Sequence, residues 1–326
     1  MISKNIFVSL LLCIFFCCEI SVAQQIPQFA HGSLNPEFYN PAVCGITKSI
    51  NVSAIGRSQW VSLTGHPTAQ SLCLSSFVPR IHGGIGAIIL NNQQGVQRNT
   101  YATIGYSFIA EKNNHRFGFG IRGGTIQSLI EGDKLRAPDG YYSGGILNHN
   151  DGLLPINSVS SMSPELSAGV FYMNKVMNFG ISGSHFLNST LKYSAYSGKL
   201  SIDEVKNIAA SILFVVNNNK SIKIKPSAII KYNFNELQIE ASILFGFKRF
   251  GWIGSGYRGL NSNQPEAIIG FLAFNLSSNF EVGYAYEYSI SKLSSSNDGS
   301  HELMMRYLLS LTKPAKPEKI IFTPRF

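Results

Sequence analysis

The sequence predicts an all-β fold, a transmembrane antiparallel β-barrel of about 14 strands, and three observations lead there. Charged residues make up only 14% of the chain while hydrophobic residues reach 44%, with 30 glycines, 22 phenylalanines and 14 tyrosines. A soluble domain carries roughly 25% charged residues, so this surface is poor in the groups that face water. Beyond residue 23 no apolar run approaches the roughly 20 residues of a spanning helix; the longest, 208–216, has nine residues with Ser211 among them. The apolar residues instead alternate with polar ones. Lipid offers backbone groups no hydrogen-bond partner, so an apolar chain without long runs meets a bilayer as a closed barrel.

The elements follow in chain order. Lys4, the apolar stretch 6–18 and the small-x-small site Ser21-Val22-Ala23 read as a secretory signal cleaved near Ala23, which sends the mature chain to the bacterial outer membrane. Cys13, Cys17 and Cys18 leave with it, lacking the small pair that precedes a lipidated cysteine; Cys44 and Cys73 remain, as one disulfide or as two free thiols. Residues 24–47, rich in Asn, Pro and aromatics, form an ordered periplasmic arm or a partial plug.

Residues 48–311 hold the barrel. Period-two alternation is plain at 116–123, where Phe117, Phe119 and Ile121 oppose Arg116, Gly118, Gly120 and Arg122. It recurs at 237–245 (Leu237, Ile239, Ile243 and Phe245 against Gln238, Glu240 and Ser242) and at 280–288 (Phe280, Val282, Tyr284, Tyr286 and Tyr288 against Glu281, Gly283, Ala285 and Glu287). Turn signals divide the chain into strands near 48–60, 67–78, 83–91, 99–110, 115–126, 163–173, 176–187, 206–216, 221–231, 236–247, 250–257, 265–275, 279–290 and 300–311. Connections after even strands are short (79–82, 111–114, 174–175, 217–220, 248–249 and 276–278), and several after odd strands are long (127–162, 188–205, 258–264 and 291–299). That asymmetry places both termini in the periplasm. The connection 127–162 is long enough to fold over or into the lumen. The tail 312–326, with Pro314, Pro317, Pro324 and scattered lysines, projects into the periplasm and could dock a partner.

No catalytic, cofactor-binding or metal-binding constellation emerges, and the function read from the residues is non-enzymatic. Gly118, Gly120 and Gly123 satisfy G-x-G-x-x-G but sit inside an alternating strand rather than before a helix. Ser182 and His185, three apart, fall on opposite faces of a strand. The seven histidines show no ligand spacing. The net charge of +9 is scattered singly, with no basic helix for nucleic acid; contact with outer-membrane lipid or a protein partner suits it better. Arg116 and Arg122 could pair across the lumen with Glu240, Glu281, Glu287 and Glu302, and Trp252 and Tyr257 suit the two aromatic girdles.

One set of motifs is more specific. Pro27-Gln28-Phe29 leads to Asn35-Pro36 and then to Asn40-Pro41-Ala42 with Gly45. Arg57-Ser58-Gln59-Trp60-Val61 follows, with Gly65 and Pro67-Thr68; then come Gly256-Tyr257-Arg258, Gly283-Tyr284-Ala285-Tyr286-Glu287 and Gly299-Ser300-His301-Glu302. This ordered set resembles the PorP/SprF family of the type IX secretion system in Bacteroidetes, with Glu287 where that family usually has Asp and Cys44 in place of a commoner small or aromatic residue. The resemblance implies an outer-membrane barrel that aids export or surface attachment of cargo with a C-terminal targeting domain, some of it gliding adhesins. Its partners would be the outer-membrane translocon, periplasmic components of the system and the cargo itself. No cofactor is implied. The motif residues Gln28, Phe29, Asn35, Pro36, Asn40, Pro41, Ala42, Gly45, Trp60, Arg258, His301 and Glu302 become candidate partner-binding positions. The box Asn40-Pro41-Ala42 is also similar to the amino-terminal hatch of FadL-like channels, which gives a second reading, a channel for small hydrophobic compounds.

Overall fold

A computed structural model of the protein describes residues 27–311, apart from 145–146, 188–189, 196–197, 204, 219–221, 248–249 and 261–263. The signal segment, its cleavage site and the basic tail lie outside the described residues, as does the short turn read at 248–249.

Seventeen strands are described: β1 (Ser49–Ser58), β2 (Thr68–Val78), β3 (Gly83–Gln94), β4 (Gln97–Lys112), β5 (His115–Ile130), β6 (Val159–Met173), β7 (Met177–Ser184), β8 (Thr190–Ala195), β9 (Gly198–Asp203), β10 (Asn207–Phe214), β11 (Val216–Asn218), β12 (Ile222–Tyr232), β13 (Leu237–Phe247), β14 (Gly251–Leu260), β15 (Gln264–Asn275), β16 (Phe280–Ser289) and β17 (Ser300–Ser310). Neighbours pair antiparallel around a ring. β1 meets both β2 and β17, and β10 meets both β7 and β12, so the sheet has no free edge. β10 and β11 share one position in the wall, and β8 with β9 forms a separate hairpin. The result is a closed 14-strand barrel, and each strand read from the sequence contains one wall position. The β10–β11 break has a local cause. The register passes from Leu213↔Ser227 to Val216↔Ile224 without shifting, which sets Pro226 opposite the gap; proline has no N–H for the ladder.

Alternation sorts the side chains as read. Phe117, Phe119 and Ile121 lie 46–61% exposed on the outer surface, while Arg122 is buried inside. Tyr284 and Tyr288 face out against buried Glu281, Ala285 and Glu287. An outer wall of exposed Ile, Leu, Phe and Tyr over a polar interior is the surface a bilayer requires. Most wall strands have 10–12 residues, near the 9–11 that cross a bilayer at a tilt. β4, β5 and β6 have 15 or 16 and overshoot by about 15 Å at 3.3 Å per residue.

That overshoot is capped. Leu191 and Tyr193 of the β8–β9 hairpin bury against Ile130, Val96, Leu135 and Val159. Within the long connection after β5, His149 is buried and bonds the Tyr142 hydroxyl and the Pro155 carbonyl. The connection therefore builds on the rim. The hairpin was not legible beforehand, because 188–205 carries no clear alternation. At the same end β3–β4 and β12–β13 turn within 95–96 and 233–236, so only some connections there are long. β14 reaches Leu260 and β15 begins at Gln264, which makes that connection shorter than its reading as 258–264.

Candidate functional site: a lumen filled by the N-terminal arm

The N-terminal arm occupies the interior of the barrel. Residues 27–47 bury Phe29, Ala30, His31, Leu34, Asn35, Glu37, Phe38, Asn40, Ala42, Cys44 and Ile46 almost completely. Their contacts touch walls on every side. Ala30 and His31 bond Glu302 on β17, Arg306 donates to the Leu34 carbonyl, and Arg122 on β5 donates to the carbonyls of Glu37 and Phe38. Asn40 donates to Val170 on β6 and Ile181 on β7, Ser107 on β4 donates to Ala42, and Asn51 on β1 donates to Glu37. A segment bonded to opposite walls of a closed barrel lies inside it.

The arm also runs the length of the lumen. At Lys48 it joins the short-turn mouth, where Leu311 donates to its carbonyl and Glu111 pairs its ammonium. At the other end Pro27 and Gln28 line a cavity with Trp60, Leu260, Glu266 and Ile290, all at the long-loop mouth. The first described residue lies at the mouth opposite the start of β1, because the arm threads rather than hangs.

Small residues make room for it. The backbone of Pro41-Ala42 lies flat on β5, where a Cβ on Gly118 or Gly120 would come within 2.3 Å of Ala42 backbone atoms. A Cβ on Gly84 would come within 2.1 Å of the Cys44 carbonyl. Two glycines of the apparent G-x-G-x-x-G therefore serve close backbone approach, while Gly123 has nothing nearer than 3.7 Å. Gly45 adopts φ +71°, a left-handed turn against the β2 and β3 backbones. Asn40 uses its whole amide: Oδ1 accepts from Ala42 N at 2.9 Å and caps the short turn 41–43, while Nδ2 bridges the carbonyls of β6 and β7. Phe29 packs edge-on to Phe38 at 4.9 Å, Asn35 reaches Cys73 Sγ at 3.8 Å, and the Pro36 carbonyl accepts from Tyr39 and Asn40. Both cysteines are buried free thiols.

Beside the arm at Ala30 and His31 runs a buried row of charge. Glu240 on β13 accepts from Arg258 Nη2 at 2.8 Å; Arg258 Nη1 reaches over β15 to Glu287 on β16 at 2.8 Å. Glu287 takes a bidentate fork from Arg57 on β1, both contacts at 2.6 Å, and Arg57 also meets Glu302 on β17 at 3.4 Å. Glu302 then holds the arm, accepting from Ala30 N at 2.7 Å and His31 N at 2.8 Å and meeting His31 Nδ1 at 2.7 Å. Every side chain in the row is at most 4% exposed. The row crosses the β1–β17 pairing that closes the barrel. A bulge at Arg258/Gly259 lies at its edge, a usual device for re-aiming a side chain.

The sequence had put the right carboxylates in the lumen and the wrong cations opposite them. Arg122 is spent on arm carbonyls, and Arg116 on Glu111 and the Ile46 carbonyl. Arg57 and Arg258 take their place. Parity along β1 and β14 marks both as inward, but which lumen groups meet depends on shear around the ring. Two other readings change. Trp252 points inward, donating to Glu281 at 3.2 Å with the Lys225 ammonium 3.7 Å over its ring, while Tyr257 faces out; five residues along a strand reverse the face. Ser182 and His185 line the same cavity, because His185 lies just past the end of β7 at φ +59° and turns its ring back inside. There Glu165 holds His185 Nδ1 at 2.6 Å, and no hydrogen bond joins serine and histidine.

The motif residues are thus split. Gln28, Phe29, Asn35, Pro36, Asn40, Pro41, Ala42 and Gly45 all belong to the arm, and Arg258 and Glu302 to the row beside it. Trp60 sits past β1 at the long-loop mouth, and His301 faces out between Tyr284 (Nδ1 to hydroxyl, 2.7 Å) and Tyr286.

The family model described as "Type IX secretion system membrane protein PorP/SprF" matches residues 21–307, which covers the arm and the wall from β1 into β17. The chain belongs to the PorP/SprF family. It is a membrane component of type IX secretion with an outer-membrane β-barrel fold. The motifs quoted from both ends and the middle are the arm, the charged row and the long-loop rim of this PorP/SprF barrel. No curated protein sequence matched. Among solved structures, the outer membrane protein Omp33 of Acinetobacter baumannii is similar at 7% identity and TM-score 0.43, over 80% of this chain and 99% of its own. A FadL homologue of Pseudomonas aeruginosa is similar at 11% identity and TM-score 0.46, over 88% and 95%.

Proposed function

We propose that this PorP/SprF barrel is a non-enzymatic, partner-binding component of the secretion machinery in the outer membrane, aiding export or surface attachment of cargo that carries a C-terminal targeting domain. The observation that carries the reading is the filled lumen. An arm bonded to β1, β4, β5, β6, β7 and β17 leaves no bore for a polypeptide. The barrel then acts by holding a partner while cargo crosses elsewhere. Its surface for this is the long-loop rim, built from the connection after β5, the β8–β9 hairpin and the Trp60 segment, which by the usual barrel asymmetry faces outward. The short-turn mouth and the tail 312–326 would face periplasmic components. The same filled lumen weighs against the second reading, a FadL-like channel for small hydrophobic compounds.

Deleting the gene tests the proposal. Cargo is expected to stay inside the cell or to be released without attachment, and the tagged barrel is expected to copurify with translocon or periplasmic secretion proteins. Normal cargo attachment in the deletion strain overturns it.

A further inference from the structure

We propose that the lumen also carries a binding site for a small aromatic carboxylate, in the cavity beside the arm at the long-loop half of the barrel. The cavity has a volume of about 100 Å³. Its apolar walls are Phe38 and Tyr39 of the arm and Ile88, Leu90 and Tyr101 of the barrel. Three of these five are aromatic, which favours a planar body on edge or face contacts.

Two polar groups face into it. Arg57, Arg122, Arg258 and Arg306 each hold carboxylates or carbonyls. Lys231, by contrast, has only the Tyr39 hydroxyl at 3.3 Å and that ring at 4.6 Å, and among the described residues no carboxylate pairs with it. His185 is 4% exposed, with Nδ1 and its backbone N–H both committed to Glu165. Its Nε2 is left facing the cavity with no partner among the described residues. Glu165 also accepts from Ser167 at 2.6 Å, so its charge is already met inside the wall. Glu236 also lines the cavity. An apolar pocket with one unpaired cation and one fixed imidazole nitrogen suits a ligand with an apolar ring and an anionic end. Leaving a buried imidazole nitrogen unmet is costly. The site stands independently of the secretion reading.

Titration calorimetry on the full mature chain in detergent, with benzoate as probe and benzylamine as control, tests this. Benzoate is expected to bind saturably at one site, with Lys231→Met weakening it about tenfold or more, about 1.4 kcal/mol, and benzylamine giving no heat. Ala209→Trp, which fills the cavity from β10, is expected to abolish binding. Heat-modifiable gel mobility checks that each variant keeps its barrel, and Lys231→Met serves alone if the tryptophan variant does not. No saturable binding at millimolar benzoate would mean a water-filled gap only and overturns the site; so does equal binding by Lys231→Met, or binding of benzylamine as tight as benzoate.

Discussion

Single residues decide how the arm seats. Asn40 makes three hydrogen bonds that no aliphatic side chain replaces, and Asn40→Ala leaves the carbonyls of Val170 and Ile181 without their donor. A lost buried bond of this kind costs about 1–3 kcal/mol; the expected result is a lower temperature for loss of heat-modifiable mobility. Gly120→Val is expected to do more, since its Cβ would fall 2.3 Å from Ala42 N, and to expose the arm to protease while the wall strands stay protected. Glu37, buried in the arm, accepts from Asn51 on β1 at 2.8 Å. Glu37→Leu is expected to remove that tie to the wall and to loosen the arm, measured as its sensitivity to protease.

At the scale of the strand, the charged row acts as a clasp over the closure seam. Arg57 on β1 and Glu287 on β16 hold each other across β17, so the row ties together three strands that meet where the ring shuts. Removing one partner of a buried pair strands the other, at about 3–5 kcal/mol. Arg57→Ala is expected to lower the unfolding temperature sharply, with a double Arg57→Ala/Glu287→Ala variant less damaging than the sum of the singles. Independent, additive losses in that cycle would show the clasp idea to be wrong. Strand positions were legible in the sequence because parity is a local property: Phe117 and Arg122 had to face opposite ways wherever the ring closed. The partners of Glu240 and Glu287 were not, because shear sets them and a single strand carries no trace of it. Trp252 was misread by counting strand ends where faces should have been counted, and Ser182 with His185 by carrying strand parity one residue past the end of β7.

For the molecule as a whole, the threaded arm puts Pro27, its first described residue, at the long-loop mouth. An epitope placed just before Pro27 is expected to share its sidedness in whole-cell labelling with one in the connection after β5, and to oppose one in the turn at 113–114. An epitope that instead matches the 113–114 turn would show that the arm doubles back. The asparagine- and proline-rich character of 24–47 announced an ordered segment. Its path did not show in the sequence, because the glycines that receive it lie on β3, β5, β6 and β7, far away in the chain. The arm has one more consequence, for biogenesis. An arm entering a closed barrel would have to be drawn past Arg57, Glu287 and Arg258 after those had locked together. The expected order is a scroll rolled around its rod: the leading segment lies down first, the wall curls about it, and β1 and β17 are the last lips to meet.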